Sequence, residues 1–319
     1  MENLESIRDE IFRIIERYDT IVIFGHANPD GDCVGSVMGL RHALRELYPE
    51  KKIYGVGTHP SYLPTFIEES DEIDDATVEK ALAVLVDLSD LGRVEDQRIL
   101  KAKEIVCFDH HVADKDEYAF PVYRDETAPS ATYILAKVLL ERFGFIPKKA
   151  APYLFVGLVT DTGRFQYDCA PATLKMAATL VECGVDCKSI YKDLYRQNSL
   201  DLRYRAFVYD HFRFDGLVSY CCVSKAEYTK LGLTQNDAGG KVNLLSLLDN
   251  HPIWAFFTEQ DDGIIRCELR SDGYYNVQEV AKRFGGGGHI PAAGCRIDSF
   301  DKVPEVVKAL NEAGKVENA

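Results

Sequence analysis

Ile7, Ile11, Ile14, Ile15 and Tyr18 recur at helical spacing and predict an amphipathic helix over residues 6–18, ahead of a first buried strand. That strand, the apolar run 21–24, ends in Gly25-His26, and two later runs end the same way: 81–86 leads into Asp87, and 104–108 into Asp109-His110-His111. Between these runs Val37, Leu40, Ala43, Leu44 and Leu47 restore helical periodicity in a helix expected to start near Ser36, and residues 52–56 read as a short second strand. Strands that are apolar throughout and alternate with helices belong to parallel sheets covered on both faces. In such sheets ligands bind beyond the carboxyl ends of the strands. Three strand ends carrying His or Asp are therefore expected to converge.

Ala131, Leu135, Val138 and Leu139 continue the helical pattern up to Gly144, and Ala151, Leu154, Phe155 and Leu158 predict a helix that ends near Thr160 with Asp161 at its tip. Further helices are expected over 173–182 and 188–205, the second as a connector between domains. From Phe212 the texture turns β-rich, with strands expected over 217–223, 254–259 and 264–269 and a hairpin turn at Asp261-Asp262-Gly263. The chain closes on the glycine run 285–288, His289, and a short helix from Pro304. The expected architecture is α/β in two domains. A parallel-sheet domain spans 1–187, a helical linker 188–211, and a smaller α/β domain 212–319, with the active site in the cleft between the two domains.

Chemistry concentrates in the loop after the first strand. Asp30 and Asp32 sit two apart behind Pro29 and Gly31, and in extended backbone their side chains would point the same way. Carboxylates suit a hard divalent cation, and the nearby His26 shifts the expectation from Ca²⁺ toward Mn²⁺. Ordinary helix capping is the competing reading of the same residues. Adding the other strand ends, the candidates are His26, Asp30, Asp32, Asp87, Asp109, His110, His111 and Asp161. That is more than one octahedral ion uses, but suits two cations ~3.5–4 Å apart, an arrangement that activates water and clamps a phosphoryl group.

Composition narrows the field. A formal charge of −14 over 319 residues argues against long duplex nucleic acid, which needs a basic face. Residues from Ala206 onward hold 12 of the 37 basic and 16 of the 51 acidic side chains, so this half is nearer neutrality and the better anion binder. The longest apolar runs, 81–86 and 153–159, fall short of the ~20 residues of a membrane span. Nine scattered cysteines without zinc-site spacing read as reduced thiols, and the expected location is the cytoplasm.

His26-x-x-x-Asp30-x-Asp32, the isolated Asp87, Asp109-His110-His111 and Asp161-Thr162-Gly163, taken in order, resemble the motifs of the DHH phosphoesterase superfamily. The run 285–289 followed by Ala292-Ala293-Gly294 resembles the signature of the DHH-associated C-terminal domain. Residues 161–165 and Leu269-Arg270-Ser271 are most similar to the branch of nanoRNases that also act as pAp phosphatases. The resemblance implies that His26 and Asp30 bind one cation, that Asp32, His110 and Asp161 bind the other, and that Asp87 bridges them. It makes His111 face the substrate phosphate and Asp109 orient its neighbours. It also implies Mn²⁺, with Mg²⁺ as the alternative, and a substrate-binding set of Arg270, Ser271, Gly286, Gly287, Gly288 and His289. Arg164 and Ser130 lie beside motif positions and join that set; Arg283 and Lys241 are single surface cations of less weight. The expected substrates are short single-stranded RNA or pAp, and a homodimer is compatible with the sequence. The rival readings are a phosphodiesterase for cyclic di-AMP or pApA and, from another class, a nucleotide-binding regulator without turnover.

Overall fold

In chain order the first part of the protein comprises α1 (Leu4–Arg17), β1 (Thr20–Phe24), α2 (Gly31–Leu47), β2 (Lys52–Gly55), α3 (Asp75–Glu79), β3 (Leu82–Val86) and β4 (Glu104–Asp109). It continues with β5 (Val122–Arg124), α4 (Ala131–Phe143), α5 (Ala151–Asp161), α6 (Pro171–Glu182) and α7 (Cys187–Tyr195). This computed structural model describes residues 4–60, 63–112, 118–246 and 248–316. The chain divides into two units, Met1–Arg196 and Gln197–Ala319.

In the first unit the apolar runs form one parallel sheet of order β2-β1-β3-β4-β5. The residues of β1 and β3 are buried throughout, as continuous apolar runs require. One face packs on a core that includes Phe12, Met38, Leu135 and Leu154; the other covers Val22, Phe24, Leu85 and Ile99. From β1 the chain first builds outward to β2 and then crosses back to β3. The gap between the carboxyl ends of β1 and β3 is therefore the topological switch point, where open sheets of this order bind ligands. Helices α2 and α5 pass very close beside it. A Cβ on Gly35 would stand 2.6 Å from the Tyr153 carbonyl oxygen, so only glycine permits this approach.

The second unit comprises α8 (Ser199–His211), β6 (Arg213–Asp215), β7 (Val218–Val223), α9 (Lys225–Lys230), α10 (Gln235–Ala238), β8 (Ile253–Glu259) and β9 (Ile265–Ser271). After these come α11 (Val277–Arg283), β10 (Gly287–His289), β11 (Ala292–Ile297) and α12 (Val303–Asn311). Its sheet runs β10-β11-β9-β8-β7-β6, antiparallel except for the β7–β8 pair. Val280, Val306 and Leu310 close one face, and Tyr204, Val208 and Leu245 close the other.

The helix expected over 188–205 is in fact two. Asn198 takes the N-cap position of α8, where its side chain accepts from the N–H groups of Leu200 and Asp201 while Asp201 accepts from the Asn198 N–H. Such a reciprocal cap starts a helix and so interrupts any helix that precedes it. Helix α2 begins at Gly31 rather than near Ser36, because Asp30 caps it through the N–H groups of Asp32 and Cys33. Consequently Asp30 and Asp32 do not share a face of extended backbone: Asp30 is the cap and Asp32 lies inside the first turn.

Candidate metal centre

The strand ends converge as their pattern requires. His26 follows β1, Asp87 is the first residue beyond β3, Asp109 ends β4, and His110 and His111 follow it. Asp32 comes from the first turn of α2 and Asp161 from the last residue of α5. Asp87 holds a left-handed backbone with φ of 62°, a conformation that costs most residues energy and that Asp tolerates better than most.

His110 Nε2 lies 3.4 Å from Asp87 Oδ1, 3.4 Å from Asp161 Oδ2 and 3.8 Å from Asp32 Oδ2. His26 Nε2 lies 3.3 Å from Asp87 Oδ2 and 3.9 Å from Asp30 Oδ1. Three donor groups, each with its ligand atoms within 4.8 Å of one another, therefore share members: His26, Cys33 and Asp87; Asp87, His110 and His111; Asp32, His110 and Asp161.

Two features fit these residues to divalent cations. Asp87 is 2% exposed, and among the described residues no group makes a well-formed hydrogen bond to its Oδ1, which His110 Nε2 approaches only to 3.4 Å, so this oxygen remains open to a cation. Both candidate histidines are also oriented as ligands. His26 Nδ1 lies 3.0 Å from the Ala27 carbonyl oxygen and His110 Nδ1 lies 3.3 Å from that of Ala128. A carbonyl can only accept, so each Nδ1 carries its proton and turns Nε2 toward the carboxylates, the usual way a backbone group fixes a ligand imidazole.

The electrostatics follow from crowding. Burial works against a charge on His26, but the Asp87 carboxylate outweighs it and raises the imidazole to about 12. Burial likewise opposes charge on His110, and Asp87 with Asp32 lifts it to about 10. Burial and the Asp87 charge push Asp32 up to about 7. Burial opposes ionisation of Asp87 too, yet His110 and His26 hold it below the usual carboxylate range. Protons on the two Nε2 atoms thus neutralise the carboxylates until a cation replaces them. Cation binding is expected to release protons at neutral pH, and affinity is expected to rise with pH. Calorimetry of Mn²⁺ binding in buffers of different ionisation enthalpy measures this; zero release and pH-independent affinity would contradict it.

Asp32 also ties the site together. It is 1% exposed and accepts from the Ala131 N–H at 2.6 Å, the Thr132 N–H at 3.0 Å and the Thr132 hydroxyl at 2.6 Å, pinning the start of α4 to the start of α2. Asp109 lies one layer deeper. Its Oδ1 accepts from the His111 N–H at 3.1 Å and from Nδ1 at 2.8 Å. Arg124, at the end of β5, donates to Ser89 Oγ at 2.5 Å and to Asp109 Oδ2 at 3.4 Å.

The expected substrate contacts divide. Ser130 is fully buried and caps α4 through the Tyr133 N–H, so its hydroxyl serves the fold. Ser271 is likewise buried and donates to the Tyr275 carbonyl oxygen at 2.7 Å; it faces away from Arg270 and is corrected to a structural residue. Arg164 lies beyond Asp161 in a left-handed conformation and stacks on Tyr195 at 4.8 Å. Lys241 pairs with Asp201 at 3.8 Å. Gly287 and Gly288 with His289 form the edge strand β10, and a Cβ on Gly286 would stand 2.6 Å from Cys295 Cβ. In register, His289 faces Ala292 and Ala292 faces Arg270. Directly opposed residues project on one face, so Arg270 and His289 flank the small Ala292 in a single row.

Cys33, Arg124, Ser89 and Thr132 were missed from sequence. Arg124 obeys the same strand-end rule as Asp87 and Asp109, but its strand of three residues is too short to read. Cys33 directly follows Asp32 and could have been found from that adjacency.

The profile of the DHH family, N-terminal domain, matches residues 20–158, and that of the DHHA1 domain matches residues 216–315. The bifunctional oligoribonuclease and PAP phosphatase NrnA of Mycoplasma genitalium is 33% identical over 93% of this chain and 95% of its own. The Bacillus subtilis protein of that name is 32% identical over 95% of this chain and 97% of its own. The crystal structure of an exopolyphosphatase-related protein from Bacteroides fragilis shares the fold, with a TM-score of 0.87 and 24% identity, covering 97% of this chain and 96% of that one.

Proposed function

The chain belongs to the DHH family of phosphoesterases, and from that premise we propose that it hydrolyses short oligoribonucleotides and pAp to nucleoside monophosphates. The observation that carries the reading is the shared, buried Asp87 between two imidazoles, with one carboxylate oxygen lacking a hydrogen bond. His26 and Asp30 would hold one divalent cation, Asp32, His110 and Asp161 the other, and Asp87 both. When bound, the pair supplies an activated water and neutralises charge developing on the phosphoryl group. Imidazole ligands favour Mn²⁺ over Mg²⁺. None of the nine cysteines is in a disulfide, which suits action in the cytoplasm.

The protein's own residues position the substrate and move its protons. A carboxylate only accepts, so the bond to Asp109 keeps the His111 proton on Nδ1 and presents Nε2 outward. Nε2 is then the atom that exchanges a proton with the phosphate or the leaving oxygen. Arg270 and His289 offer a cation and a donor to a non-bridging phosphate oxygen, with the backbone of the β10 edge beside them.

Asp109→Asn is expected to lower kcat by about 10–100-fold with little change in KM, because an amide no longer fixes the His111 tautomer. Steady-state kinetics on pAp check this, and a change confined to KM would contradict it. The whole reading is tested by a panel of pAp, RNAs of two to ten nucleotides, pApA, cyclic di-AMP and pyrophosphate with Mn²⁺. Turnover of the first two classes is expected to dominate. Preference for cyclic di-AMP or pApA would move the chain to the phosphodiesterase reading, and binding of nucleotides without turnover to the regulator reading.

A further inference from the structure

We infer that Cys33 is an additional ligand on the His26 side of the centre, making that cation position softer than the one at Asp32, His110 and Asp161. The inference rests on the two-cation reading above and adds to it a residue and a metal preference.

Cys33 occupies the first turn of α2 and is 2% exposed. Its Sγ, a nitrogen of His26 and an oxygen of Asp87 all lie within 4.8 Å of one another, so donors from three separate segments surround one point. The sulfur is held there from two sides. The Cys33 N–H is bound to Asp30 Oδ1 at 3.0 Å, and Gly25 at the end of β1 has no Cβ, which would otherwise collide with Cys33 Sγ. The neighbouring Asp87 is 2% exposed and turns Oδ2 to this group, 3.3 Å from His26 Nε2, so a carboxylate oxygen and an imidazole nitrogen already face each other there. The other thiol buried nearby behaves differently: Cys107 donates to the Leu88 carbonyl oxygen at 3.1 Å and belongs to none of the three donor groups.

The two positions then differ in chemistry. Asp32, His110 and Asp161 offer two carboxylates and one imidazole, a hard set. His26, Cys33 and Asp87 offer imidazole, sulfur and carboxylate, a combination suited to Zn²⁺ and Co²⁺ and to still softer ions. Coordination replaces the S–H bond by a sulfur–metal bond, and the proton passes to solvent. Asp30, by comparison, has a side chain 54% exposed and spends Oδ1 on capping α2, which leaves room for a second donor at His26.

The test is an anaerobic Co²⁺ titration of the full chain, followed by near-ultraviolet thiolate-to-cobalt absorption and by X-ray absorption at the cobalt edge, in wild type, Cys33→Ser and Cys33→Ala. The wild type is expected to bind two ions with one sulfur scatterer between them and a charge-transfer band, and both variants to lose the band. In the variants, Cd²⁺ affinity at one of the two positions should fall about tenfold or more. Two bound cobalt ions with no sulfur scatterer in the wild type, or an unchanged band in Cys33→Ala, would overturn the inference while leaving the two-cation reading intact. Failure of the wild type to bind a second ion would overturn both. The wild-type spectrum decides the matter even where a variant does not fold.

Discussion

Asp87→Asn is expected to lower kcat/KM by at least about a thousandfold and to leave the protein short of a bound cation. The expectation follows from position. Asp87 Oδ2 lies 3.3 Å from His26 Nε2 and Oδ1 lies 3.4 Å from His110 Nε2, so one carboxylate faces both imidazoles. A cation acting on a phosphoryl oxygen supplies several kcal/mol of stabilisation to the transition state. At about 1.4 kcal/mol for each power of ten, losing one such cation costs about three powers of ten. Asparagine is the informative replacement. Residue 87 has φ of 62°, which Asn tolerates and Ala does not, so the variant removes charge without adding backbone strain. Metal content by elemental analysis and kinetics on pAp check the outcome. Near-normal turnover with two ions bound would remove Asp87 from its shared role.

Much of this centre was legible before any coordinates, because parallel strands announce themselves as uniform apolar runs and their carboxyl ends are where ligands sit. His26, Asp87 and Asp109-His110-His111 could be assigned to one place on that rule alone. Asp161 needed only the helical period of residues 151–158 to reach the tip of α5. The errors arose where a local polar interaction competes with pattern. Asp30 and Asp32 were read as a pair on extended backbone, whereas only Asp30 is extended, as the cap that starts α2 five residues early and takes Asp32 into its first turn. Ser130 and Ser271 were placed against substrate for their proximity to motifs, whereas each satisfies a buried backbone group, the commoner use of a hydroxyl. The glycine run carries no strand signal in the sequence, yet it forms β10. Tight packing of β10 on β11 demands the absence of Cβ at Gly286, and nothing in a glycine-rich sequence separates that need from flexibility. Asn198, which divides α7 from α8, carried a usable signal, since Asn three residues before Asp201 is a capping pattern.

Hydrolysis is expected to fall by about tenfold or more as RNA lengthens from about three to about ten nucleotides, the range over which local electrostatics alter encounter rates. The cause is the use the protein makes of its cations. Some of the basic side chains in the first unit are already committed to carboxylates. There Arg41 pairs with Glu68, Arg45 with Asp71, Arg98 with Asp96 and Lys101 with Asp75. Arg124 is bound to Ser89, and Arg164 stacks on Tyr195. A nucleotide or short oligomer carries few phosphates beyond the one that is cleaved. Each further phosphate adds a negative charge to be held by a protein whose net charge is −14. Salt supplies a second sign to test. An ordinary nucleic-acid binder loses affinity for long strands as salt rises, through counterion release. Here the penalty on length is repulsive, so screening should relieve it, and the ratio of long-strand to short-strand kcat/KM should increase with ionic strength. A length series at two salt concentrations and fixed Mn²⁺ measures both effects. Rates that hold level or climb with length, together with the ordinary salt response, would identify an exonuclease that tracks along its strand and would reject the small-substrate reading.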